Sequence, residues 1–216
     1  MTTELTFWGH ACIRLERDGR RLVIDPGSFS SAEALDGADA VLVTHEHVDH
    51  VVIDELREAV AVRLDLEVWA PGSVTGQLKD PRSEGRVHTV AGGDRFTAAG
   101  FEVEALGQDH ALVHRDVPVI PNIAYLVDRS VLHPGDSYTE APAGTTVQVL
   151  CAPTGAPWLK LGEVVDFVRS VAPRVVVPIH DALLSDAGRG MTDRLLPSLT
   201  GVDYRRLSTG EGMKVG

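Results

Sequence analysis

The sequence predicts an α/β fold in which two β-sheets carry helices on their outer faces, and three observations predict it. Short apolar runs bounded by turn signals recur along most of the chain, segments with helical spacing interrupt them at intervals, and the second half echoes the first. A sheet or helix with one apolar face must cover that face against another layer, and strands in runs punctuated by helices satisfy this by stacking.

The elements follow in order. "ELTFWG", "ACIRLER" and "RRLVID" read as strands separated by Asp18-Gly19 and closed by Pro26-Gly27, which suggests an antiparallel meander; "DAVLVTH" is a fourth strand. "DHVVIDELREAVA" places Val51, Val52, Leu56 and Val60 near helical spacing, so a helix is expected at once after that strand, with Asp49 and His50 at its start. "EVWA", "RVHTV", "DRFTAA" and "FEVEALG" are again short strands, and "APGSVTGQL" opens a helix after Pro71. "NIAYLVD", "SVLHPGD" and "VQVLCAP" repeat the strand pattern, "LKLGEVVDFVRSVAP" is a helix, and "RVVVPIH" is a buried strand. No low-complexity linker divides the 216 residues, so one domain over 1–216 is expected.

Composition narrows the function classes. Hydrophobic residues are 44% and charged residues 24%, with no apolar run long enough for a membrane span. "MTTELTFWGHACIRLE" lacks a basic segment followed by an apolar run and a small-residue cleavage site, so a cytoplasmic location is expected. A net charge of -11 argues against a basic surface for nucleic acid or acidic membranes, and leaves a small-molecule substrate as the expected partner. Cys12 and Cys151 belong to no CxxC pair and read as two buried thiols. No interface signature speaks for or against a homo-oligomer.

The chemistry concentrates in "THEHVDH", residues 44 to 50, where a strand ends. On an extended segment His45 and His47 point to the same side and grip one ion together, while Asp49 and His50, placed where the chain turns, address a second point nearby. Divalent metals such as zinc accept imidazole nitrogen and carboxylate oxygen, and need further ligands from elsewhere. Three candidates stand at other apparent strand ends: His110 after "FEVEALGQD", Asp136 after "SVLHPG" and His180 after "RVVVPI". A solvated polar turn explains "HEHVDH" less well, because it calls for none of these three.

These residues resemble the metallo-β-lactamase superfamily of metallohydrolases, whose HxHxDH signature is matched by His45, His47, Asp49 and His50 and whose later His, Asp and His are matched by His110, Asp136 and His180. "FWGHACIRLERDGRRLVIDPG" is similar to the opening of the compact single-domain branch that includes L-ascorbate-6-phosphate lactonase-like proteins, which brings His10 and Asp25 near the metals. The resemblance implies a four-layer αββα sandwich of two mixed β-sheets with helices on both outer faces. It implies that His45, His47 and His110 hold one metal, that Asp49, His50 and His180 hold the other, and that Asp136 bridges them. It implies zinc first, with manganese or iron also suited. The nucleophile would be a metal-bridging hydroxide, oriented by the catalytic Asp49.

Asp25 is read as a carboxylate that receives the second N–H of a ligand histidine rather than as a turn former only. His10 is either a hydrogen-bonded core histidine or part of the pocket; His88 is assigned to structure or surface, and His133 stands three residues before Asp136. Segments leaving the same edge as the ligands should line the cleft: "ALVHRDVPVIPN", "SYTEAPAG", "DALLSDAGRG" and "APTGAPWLK". They offer His114, Asn122 and Trp158 as substrate contacts, with Arg115, Tyr138 and Arg189 as further candidates. The favoured activity is hydrolysis of an ester, lactone or phosphodiester bond in a small metabolite. The alternatives are a phosphodiesterase for nucleotide-type substrates and a non-haem diiron redox protein; members of the latter kind favour a carboxylate where His47 stands.

Overall fold

The computed structural model describes residues 2–216 and contains two seven-stranded sheets packed face to face. The first half supplies β1 (Thr3–Gly9), β2 (Cys12–Arg17), β3 (Arg20–Ile24), β4 (Ala40–Leu42), β5 (Glu67–Ala70) and β6 (Val87–Thr89). The second half supplies β7 (Arg95–Ala98), β8 (Phe101–Leu106), β9 (Ala124–Val127), β10 (Val131–His133), β11 (Val149–Pro153), β12 (Val175–Ile179) and β13 (Asp203–Tyr204), and the last strand, β14 (Gly212–Val215), returns to pair with β1. The orders are β14-β1-β2-β3-β4-β5-β6 and β13-β12-β11-β10-β9-β8-β7.

Both sheets are mixed in the same way. The β1-β2-β3 meander is antiparallel, as expected from its tight turns, and β3 through β6 run parallel; β7 through β10 are antiparallel and β10 through β13 parallel. The parallel pairs need crossovers, and the helices supply them on the outer faces. The inner core joins Leu5, Ile13, Leu22 and Leu42 of one sheet to Val103, Tyr125, Cys151 and Val177 of the other. Tyr125 spans the layers, its buried hydroxyl donating to the Val43 carbonyl at 2.9 Å.

On one outer face α1 (Ile53–Val62) buries Leu56, Val60 and Ala61, and α2 (Gly72–Thr75) buries Val74. On the other, α3 (Leu161–Val171) buries Val164, Val165, Phe167 and Val168, and α4 (Asp186–Thr200) buries Leu196. The fold is therefore the expected αββα sandwich. Cys12 and Cys151 are buried free thiols, and no described helix is long and apolar enough to cross a membrane.

Two local expectations are corrected and one is met in short form. Asp49 and His50 do not start a helix: they sit on a turn in which His50 N–H and Val51 N–H both donate to the His47 carbonyl, and α1 begins only at Ile53. Gly27 lets this turn pack closely against it, since a Cβ there would lie 1.9 Å from the Asp49 carbonyl oxygen. "APGSVTGQL" does open a helix after Pro71, as expected, and it lasts one turn. "DALLSDAGRG" is a loop only to Ser185, whose side chain accepts from Gly188 N–H and opens α4.

Candidate metal centre

The strands β1, β3, β4, β8, β10 and β12 point the same way within their sheets, so their C-terminal ends share one edge of the sandwich. Just beyond those ends stand His10, Asp25, His45, His110, Asp136 and His180, in that order. Three of them, His10, Asp25 and His180, take left-handed backbone conformations with φ of 50°, 53° and 58°. Side chains with a Cβ rarely hold that region, and strain of this kind collects where the chain must aim a functional group.

The side chains converge in two groups. His45, His47, His110 and Asp136 bring four donor atoms within 4.8 Å of one another, and His10, Asp49, His50 and His180 do the same. Asp136 also reaches the second group: its Oδ1 lies 3.1 Å from His50 Nε2, and its Oδ2 lies 3.2 Å from both His110 Nε2 and His180 Nε2. His45 Nε2 and His47 Nδ1 are 3.0 Å apart, and His47 is exposed and opens the centre to solvent.

The ring orientations follow from where each second nitrogen goes. Asp25 Oδ2 takes the Nδ1 side of His50 at 2.7 Å, the Ala111 carbonyl that of His110 at 2.6 Å, and the Gly155 carbonyl that of His180 at 2.8 Å. Thr44 donates its hydroxyl to Asp25 Oδ2 at 2.7 Å, so its oxygen accepts from His45 Nδ1 at 3.0 Å. All four imidazoles thus engage Nδ1 from behind and turn Nε2 toward the centre, the orientation a metal ligand needs once any proton on Nε2 is lost. His50 Nε2, Asp136 Oδ1 and His180 Nε2 are buried with no hydrogen-bond partner, which is costly unless something else meets them. A cation between the two groups would satisfy all three, and the donor set of imidazoles and carboxylates suits borderline divalent metals.

His10 behaves differently. Its Nδ1 accepts from Ala182 N–H at 3.2 Å, which puts the ring proton on Nε2, where it donates to Asp49 Oδ2 at 3.2 Å. A protonated nitrogen is not a ligand, so His10 aims Asp49 instead. Burial lowers the pKa of His10, His45 and His47, keeping them neutral. Burial acts the same way on His50 and His180, but Asp136 and Asp25 raise His50 well above the usual range, and contacts with Asp136 and Asp49 carry His180 up to about 9. Burial works against ionisation of Asp49 and Asp136, yet the histidines around each hold both well below the usual carboxylate range.

The expected substrate contacts need revision. Asn122 is fully buried and faces inward: its Oδ1 accepts from Asp136 N–H at 2.9 Å and its Nδ2 donates to the Pro134 carbonyl. It fixes the Asp136 loop, where Gly135 is required because its φ is +59° and a Cβ would sit 2.3 Å from Asn122 Oδ1. His114 is an exposed side chain whose ring accepts from Asp116 N–H, and it does not line the cleft beside the centre. Arg115 projects into solvent, and Arg189 turns to Asp181 and Asp186. Trp158 does line the cleft, and its indole N–H also donates to Asp136 Oδ2 at 3.1 Å.

One residue of the site escaped the sequence reading. Thr44 links Asp25 to His45, and a Thr at a strand end carries no signal beyond strand preference. His133 is fully buried, with Nε2 2.8 Å from the Ala11 carbonyl and Nδ1 4.0 Å from Asp25, so it packs behind the ligands. His88 stacks on Trp69 near the far edge of its sheet, away from the site.

A four-layer sandwich with a His/Asp cluster at one edge defines a metallo-β-lactamase type of protein. The profile of the family described as Beta-lactamase superfamily domain matches residues 4–180, and the chain belongs to that family. It is 38% identical over 210 residues to Protein Rv0786c of Mycobacterium tuberculosis, covering 94% of this chain and 96% of that one. It is 30% identical over 192 residues to UPF0173 protein PF0020 of Pyrococcus furiosus, covering 85% and 86%. A relative named UPF0173 metal-dependent hydrolase, of Methylobacterium nodulans, is 27% identical over 202 residues, covering 82% and 84%. Among solved structures, Igni18, a metallo hydrolase of Ignicoccus hospitalis, superimposes with a TM-score of 0.73 at 22% identity, covering 99% and 98%. The diiron β-hydroxylase CmlA of Streptomyces venezuelae superimposes with a TM-score of 0.70 at 17% identity, covering 98% of this chain and 53% of that one. At these identities the two structures share the fold.

Proposed function

We propose that this protein, with residues 1–216 acting as one domain in the cytoplasm, is a dinuclear metal-dependent hydrolase that opens an ester, lactone or phosphodiester bond of a small metabolite. The observation that carries this reading is the shared orientation of His45, His50, His110 and His180, each with Nδ1 engaged from behind and Nε2 turned toward the centre. His45, His47 and His110 would hold one ion, Asp49, His50 and His180 the other, and Asp136 both. Zinc fits this shell best, and manganese or iron also suits it. Bound there, divalent ions lower the pKa of a water and polarise the scissile carbonyl or phosphoryl oxygen.

The protein's own groups do the rest. Asp49, ionised because His10 and His180 contact it, accepts a hydrogen bond from the attacking water and sets its direction. Held so far below the usual range, it orients the water rather than storing its proton. Asn122 and Trp158 hold Asp136 in place from two sides. The relatives named metal-dependent hydrolases support the reading, and the fold shared with a diiron hydroxylase makes iron loading with an oxygen-uptake measurement a necessary control.

The test is a screen of the metal-loaded protein against esters, lactones, thioesters and phosphodiesters, repeated with Asp49→Asn. Turnover should fall by about a hundredfold to ten-thousandfold in the variant while the circular dichroism spectrum stays the same. Undiminished turnover in Asp49→Asn would overturn the role given to that carboxylate.

A further inference from the structure

Beside Asp136 and His110 the surface opens into a cleft of about 660 Å³, large enough for a substrate group of drug-like size. Its residues flank the two ligands directly: Asp109 and Ala111 on either side of His110, Ser137 after Asp136, and Trp158, whose indole touches the Asp136 carboxylate. A molecule in this cleft therefore adjoins the reacting centre.

Most polar groups of the cleft are already engaged. The Ser137 hydroxyl donates to the Pro134 carbonyl at 2.9 Å and lies 2.8 Å from the Thr139 hydroxyl. The only cation lining the cleft, Lys160, pairs with Glu163 at 3.1 Å, and with Asp109 the lining carries more negative than positive charge. Apart from the Tyr138 hydroxyl, which is buried without a hydrogen-bond partner, what faces the space unpaired is apolar. The rings of Trp158 and Tyr138 meet edge to face at 5.3 Å and form one wall, and Leu112 and Val113, 60% and 40% exposed, stand at the mouth. Val117 and Val119 on the same loop are exposed as well, and so are Val48 and Leu183 on the segments that carry Asp49 and His180, and Phe29, whose ring meets that of His10 edge to face at 5.3 Å. Exposed apolar side chains gathered around one opening mark a binding site more often than they occur by chance.

Resting on the hydrolase reading above, we infer that this cleft is the acyl-group pocket and that the substrate's non-reacting part is uncharged and apolar, an alkyl or aryl chain rather than a phosphate or nucleotide. The metal centre supplies the charge complementarity for the reacting oxygen, and the cleft supplies burial for hydrocarbon. An anionic group in the same place would meet Glu163 and Asp109 and would have to displace Lys160 from its partner.

The experiment uses the zinc-loaded full chain with p-nitrophenyl esters from acetate to octanoate, and with bis(p-nitrophenyl) phosphate. kcat/KM should climb roughly threefold to fourfold per methylene until the cleft is filled, the factor expected for burying a CH2 group. Leu112→Asp should lower the octanoate-to-acetate ratio by about tenfold, because the long chain then meets a charge. A flat or falling series, or a phosphodiester preferred over octanoate, overturns the inference. If protein carrying its metals turns over none of the esters, the hydrolase reading fails and octanamide titrated by calorimetry judges the cleft by itself. Binding weakened about tenfold in Leu112→Asp upholds an apolar pocket; no binding, or equal binding, overturns it.

Discussion

Asp25 collects three hydrogen bonds, from Thr44 N–H at 2.8 Å, from the Thr44 hydroxyl and from His50 Nδ1. Its charge thereby fixes the tautomer of His50 directly and that of His45 through Thr44. Asp25→Asn removes the charge at nearly constant shape, and zinc affinity should fall by about tenfold to a hundredfold, as read by competition with a chromophoric chelator. A second prediction concerns pH. His180 with a pKa near 9 is an imidazolium in the metal-free protein at neutral pH and must lose that proton to bind a metal. Because His50 is held protonated as well, zinc affinity should rise by about tenfold per unit or more across neutral pH, with protons released into a weakly buffered solution on metal uptake. The sign for stability is opposite. A histidine whose pKa is raised by folding stabilises the metal-free fold fully below 6.5, and that contribution disappears as the pH rises past about 9. The ligand-type residues were legible because histidine and aspartate at strand ends have no structural reason to recur. Thr44 and Asn122 were not, since their roles depend on which buried atom lies opposite.

At the scale of elements, the helices do more than cover the sheets. Phe167 of α3 is almost fully buried, and its ring lies 5.5 Å from that of Tyr138, which forms a wall of the cleft. Phe167→Ala should destabilise the fold by about 3–5 kcal/mol through the cavity it leaves. The melting temperature should drop by roughly 10 °C in a chain of this size, and an unchanged melting temperature would mean that α3 is not packed as described. Most strands and α3 could be read from the sequence: β1 and β8 from alternation, β11 and β12 from continuous apolar runs, and α3 from its 3.6 period. Helix α4 could not, because it opens on Gly188 and Gly190, contains Pro197 and buries only Thr192 and Leu196. What holds its start is a polar network: Arg206 donates to Asp181 and Asp193, Tyr204 donates to Asp193, and Arg189 donates to the Asp181 carbonyl. That network anchors the loop that carries His180, and such long-range polar pairing leaves no periodic trace. The pairing of β14 with β1 is invisible for the same reason, joining Thr3 to Val215 across the whole chain.

Over the whole molecule, two sheets of like topology place six strand ends at one edge, and the residues just beyond those ends come from both halves of the chain. Neither sheet alone assembles either group of four donor atoms: His45 and His47 follow β4 in one sheet, and His110 and Asp136 follow β8 and β10 in the other. The central claim is that this edge holds two metal ions. Elemental analysis of the protein purified without added metal tests it most directly. About two transition-metal ions per folded chain is the predicted result. One ion or none, in protein with intact secondary structure, would contradict it.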